Sequence, residues 1–432
     1  MTFQDVIPYR LAKPDFAGFP KMTRVRQNFT DVFIDDIEER VHEEITRLAL
    51  PELTGKKIAI TAGSRGIPNI TRILKAVGGE LKALGAAPFV VPAMGGHGNA
   101  TAQGQLSLLR EYGITEETVD MPLRSSMDTV LLGNSENGAA VYCDRNAYEA
   151  DWIVVCGRVK PHTDFRWEIE SGMCKMMVVG LGKYDGATAF HKTGTGEMGE
   201  RLVNAARVFI TKAKVLCGMA VIDNPYHKTH SIEAVKPENI IAREPELLRE
   251  ATKAMSKILL EEADVLVVDY FGKEISGSGM DPNVTGRFFH SPDVFYPNYP
   301  RIKKISVLRI TRASHGNAAG IGVADFISRK AAQSIDLASV YTNCLTSRYS
   351  IGGKLPMVMN NDFDAIYAAA SSSGAHSVKD ARIIRIKNTL ALDNIWVSEN
   401  MSSEVKGNGA LEIEGEPSEI LFDSGNDISG LE

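Results

Sequence analysis

Three short apolar runs, each breaking into a loop that carries glycine, constrain this chain more than any other feature. Lys57-Ile-Ala-Ile-Thr-Ala62 breaks at Gly63-Ser64-Arg65-Gly66, and Ala87-Pro-Phe-Val-Val-Pro92 leads to Met94-Gly-Gly-His97-Gly-Asn-Ala-Thr101. Asp151-Trp-Ile-Val-Val-Cys156 leads to Gly157-Arg-Val-Lys-Pro-His162-Thr-Asp164. Runs this short, with no polar alternation, suit strands covered on both faces. Helical spacing follows the first run from about Pro68 to Leu84, with the proline suited to a first turn, and follows the second to about Tyr112. Strand, loop and helix repeated in this order predict a parallel sheet with helices packed on its faces.

The rest of the chain extends the pattern. Residues 1–36 read as an extended arm and 37–50 as a helix; a helix over 197–212 and a strand over 215–222 come later. Asn224–Glu244 is polar and contains proline, and reads as a crossover between domains. The pattern then restarts with a helix over 246–262, a strand over 263–269 and a glycine-rich loop to Arg287. A strand over 305–310, helices over 323–332 and 362–371, strands over 381–386 and 394–398 and an acidic tail complete it. The run from Lys175 to Gly182 has the length of a core strand. A chain of 432 residues exceeds one ordinary domain. The expected fold is therefore α/β: two Rossmann-like domains, 1–255 and 256–432, with the active site in the inter-domain cleft and a tail able to fold back on the first domain.

Composition narrows the class of function. Hydrophobic residues at 44% and charged residues at 24% describe a globular protein with a real core. The formal charge is −6 and no basic stripe stands out, which argues against nucleic acid and acidic membrane surfaces as partners. No apolar stretch has bilayer-spanning length, and Met1–Pro20 lacks the apolar core of a secretory signal. Five scattered cysteines without CxxC pairing read as reduced thiols, which points to a cytoplasmic protein without a structural zinc site.

Ligands of open parallel sheets collect at the carboxyl ends of the strands. Arg65, His97 and His162 lie in loops that follow predicted strands; Lys175 opens an apolar run, and His191 comes sixteen residues later. Singly, each has an ordinary reading: a turn histidine, a lysine whose stem lies along apolar surface, an arginine at a helix end. Together, three histidines, a lysine and an arginine suit metal ligation, acid–base work and carboxylate binding. Gly63-Ser-Arg-Gly-Ile is not a dinucleotide fingerprint, because G-x-G-x-x-G is absent and no acidic residue marks a ribose. His227 and His230 read as a solvated loop. Three functions remain open on these residues: a cofactor-dependent enzyme, a Zn²⁺- or Fe²⁺-dependent lyase or hydrolase using His97, His162 and His191, and a non-catalytic nickel- or sugar-acid-binding protein.

The motifs Ser64-Arg65-Gly-Ile-Pro68, Gly96-His97-Gly-Asn-Ala-Thr101, Pro161-His162, Gly172-Met-Cys-Lys175 and Phe190-His191 occur in that order. In these the chain resembles the lactate-racemase family of nickel-dependent 2-hydroxy-acid racemases and epimerases, from about Lys57 to Arg287. The resemblance implies a nickel-pincer nucleotide, pyridinium-3,5-bisthiocarboxylic acid mononucleotide with nickel, attached to Lys175 through a thioamide. It implies His191 as the fourth nickel ligand, Ser64 as a cofactor contact, His97 and His162 as two acid/bases, and Arg65 as the group that holds the substrate carboxylate. Soft sulfur with one imidazole suits Ni(II), and moving the C2 hydrogen as hydride avoids a carbanion beside a carboxylate. The implied partners are a small 2-hydroxy acid and the enzymes that build the cofactor; an oligomer is compatible with the pattern. Two departures stand out: Ala62 replaces the aspartate that precedes the arginine in the lactate enzyme, and the interval from His162 to Lys175 is longer. In the second domain Lys273, Asn283 and Arg287 are substrate-contact candidates by position, on a loop that suits a longer, polyhydroxylated or dicarboxylic substrate.

Overall fold

A computed structural model describes every residue except 1–6, 8, 14–15, 65, 164, 192–197, 289–297, 348–349 and 432, and the side chains of 191, 346 and 347. The chain forms two compact units: a central one of Thr30–Met255, and a terminal one of Met1–Phe29 with Ser256–Glu432. The arm supplies strand β1 (Met22–Gln27) to the terminal unit.

The central unit is built on β2 (Lys57–Ala62), β3 (Ala87–Pro92), β6 (Trp152–Arg158), β7 (Val215–Asp223) and β8 (Thr229–Val235). A hairpin of β4 (Thr129–Asn134) and β5 (Ala140–Asp144) stands apart from that sheet. The sheet order is β3-β2-β6-β7-β8, parallel except for β8. Alternate residues of each strand feed two separate cores. Ile58, Ile60, Val90 and Val154 pack beneath helices Ile37–Leu48 and Ile70–Ala83, while Ala59, Phe89, Val91 and Val155 pack beneath helices Met198–Lys212 and Ile240–Ala254. Burial on both faces is why these runs are uniformly apolar.

The terminal unit adds β9 (Glu262–Phe271), β10 (Arg301–Ile310), β11 (Phe326–Ser328), β12 (Met357–Met359), β13 (Ile383–Ile386), β14 (Asn394–Ser398) and β15 (Leu411–Ser418). Strands β12-β11-β10-β9-β13 are parallel, and β14, β1 and β15 continue the sheet antiparallel. The fold class is α/β with largely parallel sheets, as the strand–helix succession predicts.

Several expectations change. Residues 1–29 and the tail, expected with or folding back on the first domain, both belong to the terminal unit, where Val25 pairs with Ile395 on one side and Ile413 on the other. Charged pairs on the exposed face hold that edge, among them Arg26–Glu412 at 2.6 Å. Asn224–Glu244 is no crossover, because it supplies β8 and the start of helix Ile240–Ala254 to the central unit. The apolar run Lys175–Gly182 is helical rather than extended, since run length alone does not separate a buried strand from a buried helix.

Candidate active site

Strands β3, β2 and β6 are neighbours and parallel, so their carboxyl ends open on one edge of the central sheet. Ser64 follows β2, His97 follows β3 and His162 follows β6. The two histidine loops therefore flank the Ser64 loop, with their parent strands two strand spacings, about 10 Å, apart. Arg65, next to Ser64 in that middle loop, lies outside the described residues.

His97 is exposed, and its backbone N–H donates to the Met94 carbonyl at 3.1 Å. Its ring Nδ1 lies 2.6 Å from the Ser64 hydroxyl, and the Tyr112 hydroxyl donates to the Ser64 carbonyl at 3.0 Å. A partner on Nδ1 orients the ring and selects its tautomer.

His162 is half-buried and leans on the Phe165 ring, with centroids 4.4 Å apart. Glu170 organises this loop. Its carboxylate accepts from the His162 N–H at 2.8 Å, the Trp167 N–H at 3.0 Å and Arg166 Nη1 at 3.2 Å. Arg166 Nη1 also donates to the His162 carbonyl at 2.6 Å. Burial pushes the Glu170 carboxyl up, and the Arg166 charge and the two backbone donors oppose that shift. The long interval between His162 and Lys175 thus forms a loop closed on its own carboxylate.

Lys175 is half-buried and ends the helical turn Met173–Lys175, which continues into a π-helical turn, Met176–Gly180. This segment lies across the strand ends. A Cβ on Gly157 would stand 2.6 Å from Met176 Cγ and one on Gly63 would stand 3.5 Å from Met176 Cε; Gly95 N–H donates to the Gly180 carbonyl at 3.1 Å. The residue after Lys175 therefore touches the ends of both β2 and β6, which brings the lysine to the same edge as Ser64 and His162.

The turn is secured from below by Glu244, which is fully buried in helix Ile240–Ala254. Its Oε2 accepts from Cys174 N–H at 3.1 Å. Gly172 adopts φ 81°, and a Cβ there would sit 1.9 Å from Glu244 Oε1, so only glycine admits this cap. Burial pushes the Glu244 carboxyl up to about 7, against the hydrogen bonds from Cys174 and Met173. Helix Lys183–His191 follows and has His191 as its last residue; that side chain lies outside the described residues.

The three terminal-unit candidates are engaged within their own surroundings. Lys273 Nζ donates to the carbonyls of Gly277 at 2.6 Å and Ala319 at 3.0 Å. Asn283 Nδ2 donates to Asp281 Oδ1 at 2.8 Å. Arg287 donates to the carbonyls of Ile302 and Lys303 and pairs with Asp325 at 3.2 Å. These contacts give all three a role in holding the 271–287 loop. Among the described residues no group of three or more His, Cys, Asp or Glu side chains is placed to hold a metal ion, and no helix is long and apolar enough to cross a membrane.

Glu170 and Glu244 carry much of this geometry, and neither belongs to a motif legible in the sequence. A glutamate inside an amphipathic helix, such as Glu244, carries no local sign that it caps a segment seventy residues away. Glu170 is more legible, lying at the end of the lengthened loop between His162 and Lys175.

Residues 34–202 match the profile of the lactate racemase N-terminal domain. The structure is similar to the lactate racemase apoprotein from Thermoanaerobacterium thermosaccharolyticum, at 14% identity and a TM-score of 0.48, covering 89% of this chain and 96% of that one. It is also similar to a protein from Thermotoga maritima, at 13% identity and a TM-score of 0.50, covering 82% of this chain and 97% of that one. The second likeness is one of fold. No curated protein sequence matches the chain.

Proposed function

We propose that this chain, whose residues 34–202 match the lactate racemase N-terminal domain, inverts the C2 centre of a 2-hydroxy acid on a lysine-tethered nickel-pincer nucleotide. One observation carries the reading: the loops of Ser64, His97 and His162 and the Lys175 turn meet at one edge of the central sheet.

The residues suit that cofactor. Lys175 stands on a rigid turn between glycine-bearing strand ends, and the capping carboxylate of Glu244 fixes the turn from beneath. Lys175 would provide the amine of the tether, and His191 would provide the imidazole ligand to nickel. When bound, the nucleotide supplies a hydride acceptor, so that the C2 hydrogen leaves without building a carbanion.

The chain's own residues would handle the proton and the carboxylate. With Nδ1 engaged by Ser64, His97 Nε2 would take the hydroxyl proton from one enantiomer. His162, across the middle loop, would serve the other enantiomer. Arg65, which follows Ser64 in the sequence after the strand that lies between β3 and β6, would bind the carboxylate with a two-donor fork. Two bases on opposite sides of a fixed carboxylate allow either face of the keto acid to be served, which reversible inversion requires.

The test is production of the protein together with the cofactor-building enzymes, followed by chiral chromatography over 2-hydroxy acids from lactate through malate to gluconate. Interconversion of one enantiomeric pair is expected. Full cofactor occupancy with no inversion of any acid in the panel would overturn the proposal.

A further inference from the structure

Beneath the His97 loop lies a buried polar network that takes no part in the roles assigned above. Lys183 is fully buried and holds a left-handed backbone conformation at φ 54°, which a side chain other than glycine adopts only under constraint. Its Nζ donates to the Pro92 carbonyl at 2.6 Å and to Gln105 Oε1 at 2.8 Å, and lies in ionic contact with Asp144 Oδ2 at 3.1 Å. Two hydrogen-bond acceptors and one carboxylate thus surround the buried ammonium group. Burial draws the Lys183 pKa down, and the Asp144 carboxylate opposes this.

Gln105, also fully buried, carries the connection upward. Its Nε2 donates to the carbonyls of Gly95 at 2.9 Å and His97 at 3.3 Å. Asp144 closes β5, and its Oδ1 accepts from Ala147 N–H at 2.9 Å. From β4, Thr129 Oγ1 donates to Asp185 Oδ2 at 2.6 Å. The hairpin therefore grips the first turn of helix Lys183–His191 twice. A buried ion pair is costly to remove from water and is weak evidence for stability as such. Here it sits where the loop of the proposed acid/base His97 meets the helix that ends at His191.

We propose that Lys183 is a positioning residue for His97: through Gln105 it locks the Gly95–His97 backbone to the helix that ends at His191. The inference rests on His97 acting as the acid/base described above. Its consequence is that the His97 backbone and the first turn of that helix share one buried anchor.

The experiment uses the full chain without cofactor, so the cofactor reading and this one fail separately. Histidine ¹⁵N NMR reports the tautomer and titration of His97, and amide hydrogen exchange reports residues 93–100. Gln105→Leu cuts the link while leaving the ion pair, and Lys183→Met/Asp144→Asn removes both charges together. Either folded variant is expected to mix the His97 tautomers or shift its titration, to leave the His162 signals in place, and to speed exchange over 93–100 about tenfold. Should one variant fail to fold, the other decides. A folded variant whose His97 tautomer and titration match the parent protein overturns the inference; faster exchange alone would mark Lys183 as a structural brace and overturn it equally.

Discussion

The Nδ1 atom of His97 lies 2.6 Å from the hydroxyl of Ser64, and this contact joins the loops that follow two adjacent parallel strands. The protein can use Nε2 as a base only when the Nδ1 proton points at Ser64. The serine, implied by family resemblance to touch the cofactor, is thus also placed to set the histidine's tautomer.

Ser64→Ala is expected to lower kcat of the cofactor-loaded enzyme about tenfold, and His97→Gln by about 10²–10⁴, the usual contribution of a positioned acid/base. The equilibrium constant between enantiomers is fixed, so kcat/KM must fall by the same factor in both directions. Rates measured from each pure enantiomer check this. A Ser64→Ala enzyme with unchanged kcat would remove the tautomer argument.

Glu244 gives a pH dependence with a definite sign. Its carboxyl titrates at about 7 in the folded protein against 4.5 for an unperturbed glutamate, chiefly because it is buried. The folded state therefore holds the proton more tightly than the unfolded state. The stability this contributes is complete below about 4.5 and is lost as pH rises through about 7, and it amounts to roughly 3 kcal/mol. Glu244→Gln, which stays neutral, should gain on the parent protein by up to that amount between pH 5 and pH 8. Urea unfolding of both proteins at the two pH values reads the difference directly; a pH-independent gap would count against the assignment.

In the terminal unit, Arg309 meets Asp362 through two bonds, 2.7 and 3.0 Å long, with both side chains buried. Burial pushes the Asp362 carboxyl up and Arg309 holds it back. Arg309→Met leaves that carboxylate without its cation and should cost about 3–5 kcal/mol, whereas Arg309→Met/Asp362→Leu should recover most of the loss. The shift of the urea midpoint for single and double variants measures both. Equal destabilisation by the two would show that packing, and not charge, sets the cost.

The legible parts of this molecule are those that local pattern controls. The uniformly apolar runs at Lys57–Ala62 and Ala87–Pro92 announce strands buried on both faces, and the loops after them are where His97 and Ser64 appear. Where the decisive contact is distant, the pattern is silent. Nothing near Lys175 distinguishes a helix from a strand until Gly172 and Glu244 come together. The hairpin that delivers Asp144 to Lys183 pairs a short alternating strand, β5, with a half-exposed one, β4, that has no buried residue to mark it. The arm at Met22–Gln27 alternates burial as an inner strand does, but its partners Ile395 and Ile413 lie hundreds of residues away.

Lys175 and His191 should separate attachment from metal retention. Lys175 is half-buried, and the turn beneath it is held by backbone bonds to Glu244, so Lys175→Ala should fold with little loss of stability. An amide-type tether needs the ε-amine itself, so this variant, made beside the cofactor-building enzymes, should show no added covalent mass. His191→Ala keeps that amine, and its helix is anchored at the opposite end by Lys183. It should therefore keep the added mass on Lys175 while nickel falls well below one per chain, because three soft donors without the imidazole hold the metal less firmly. Intact-mass spectrometry and elemental analysis of the same samples read both quantities. Covalent mass persisting in Lys175→Ala would move the tether to another residue, and nickel retained in His191→Ala would take that histidine out of the coordination shell.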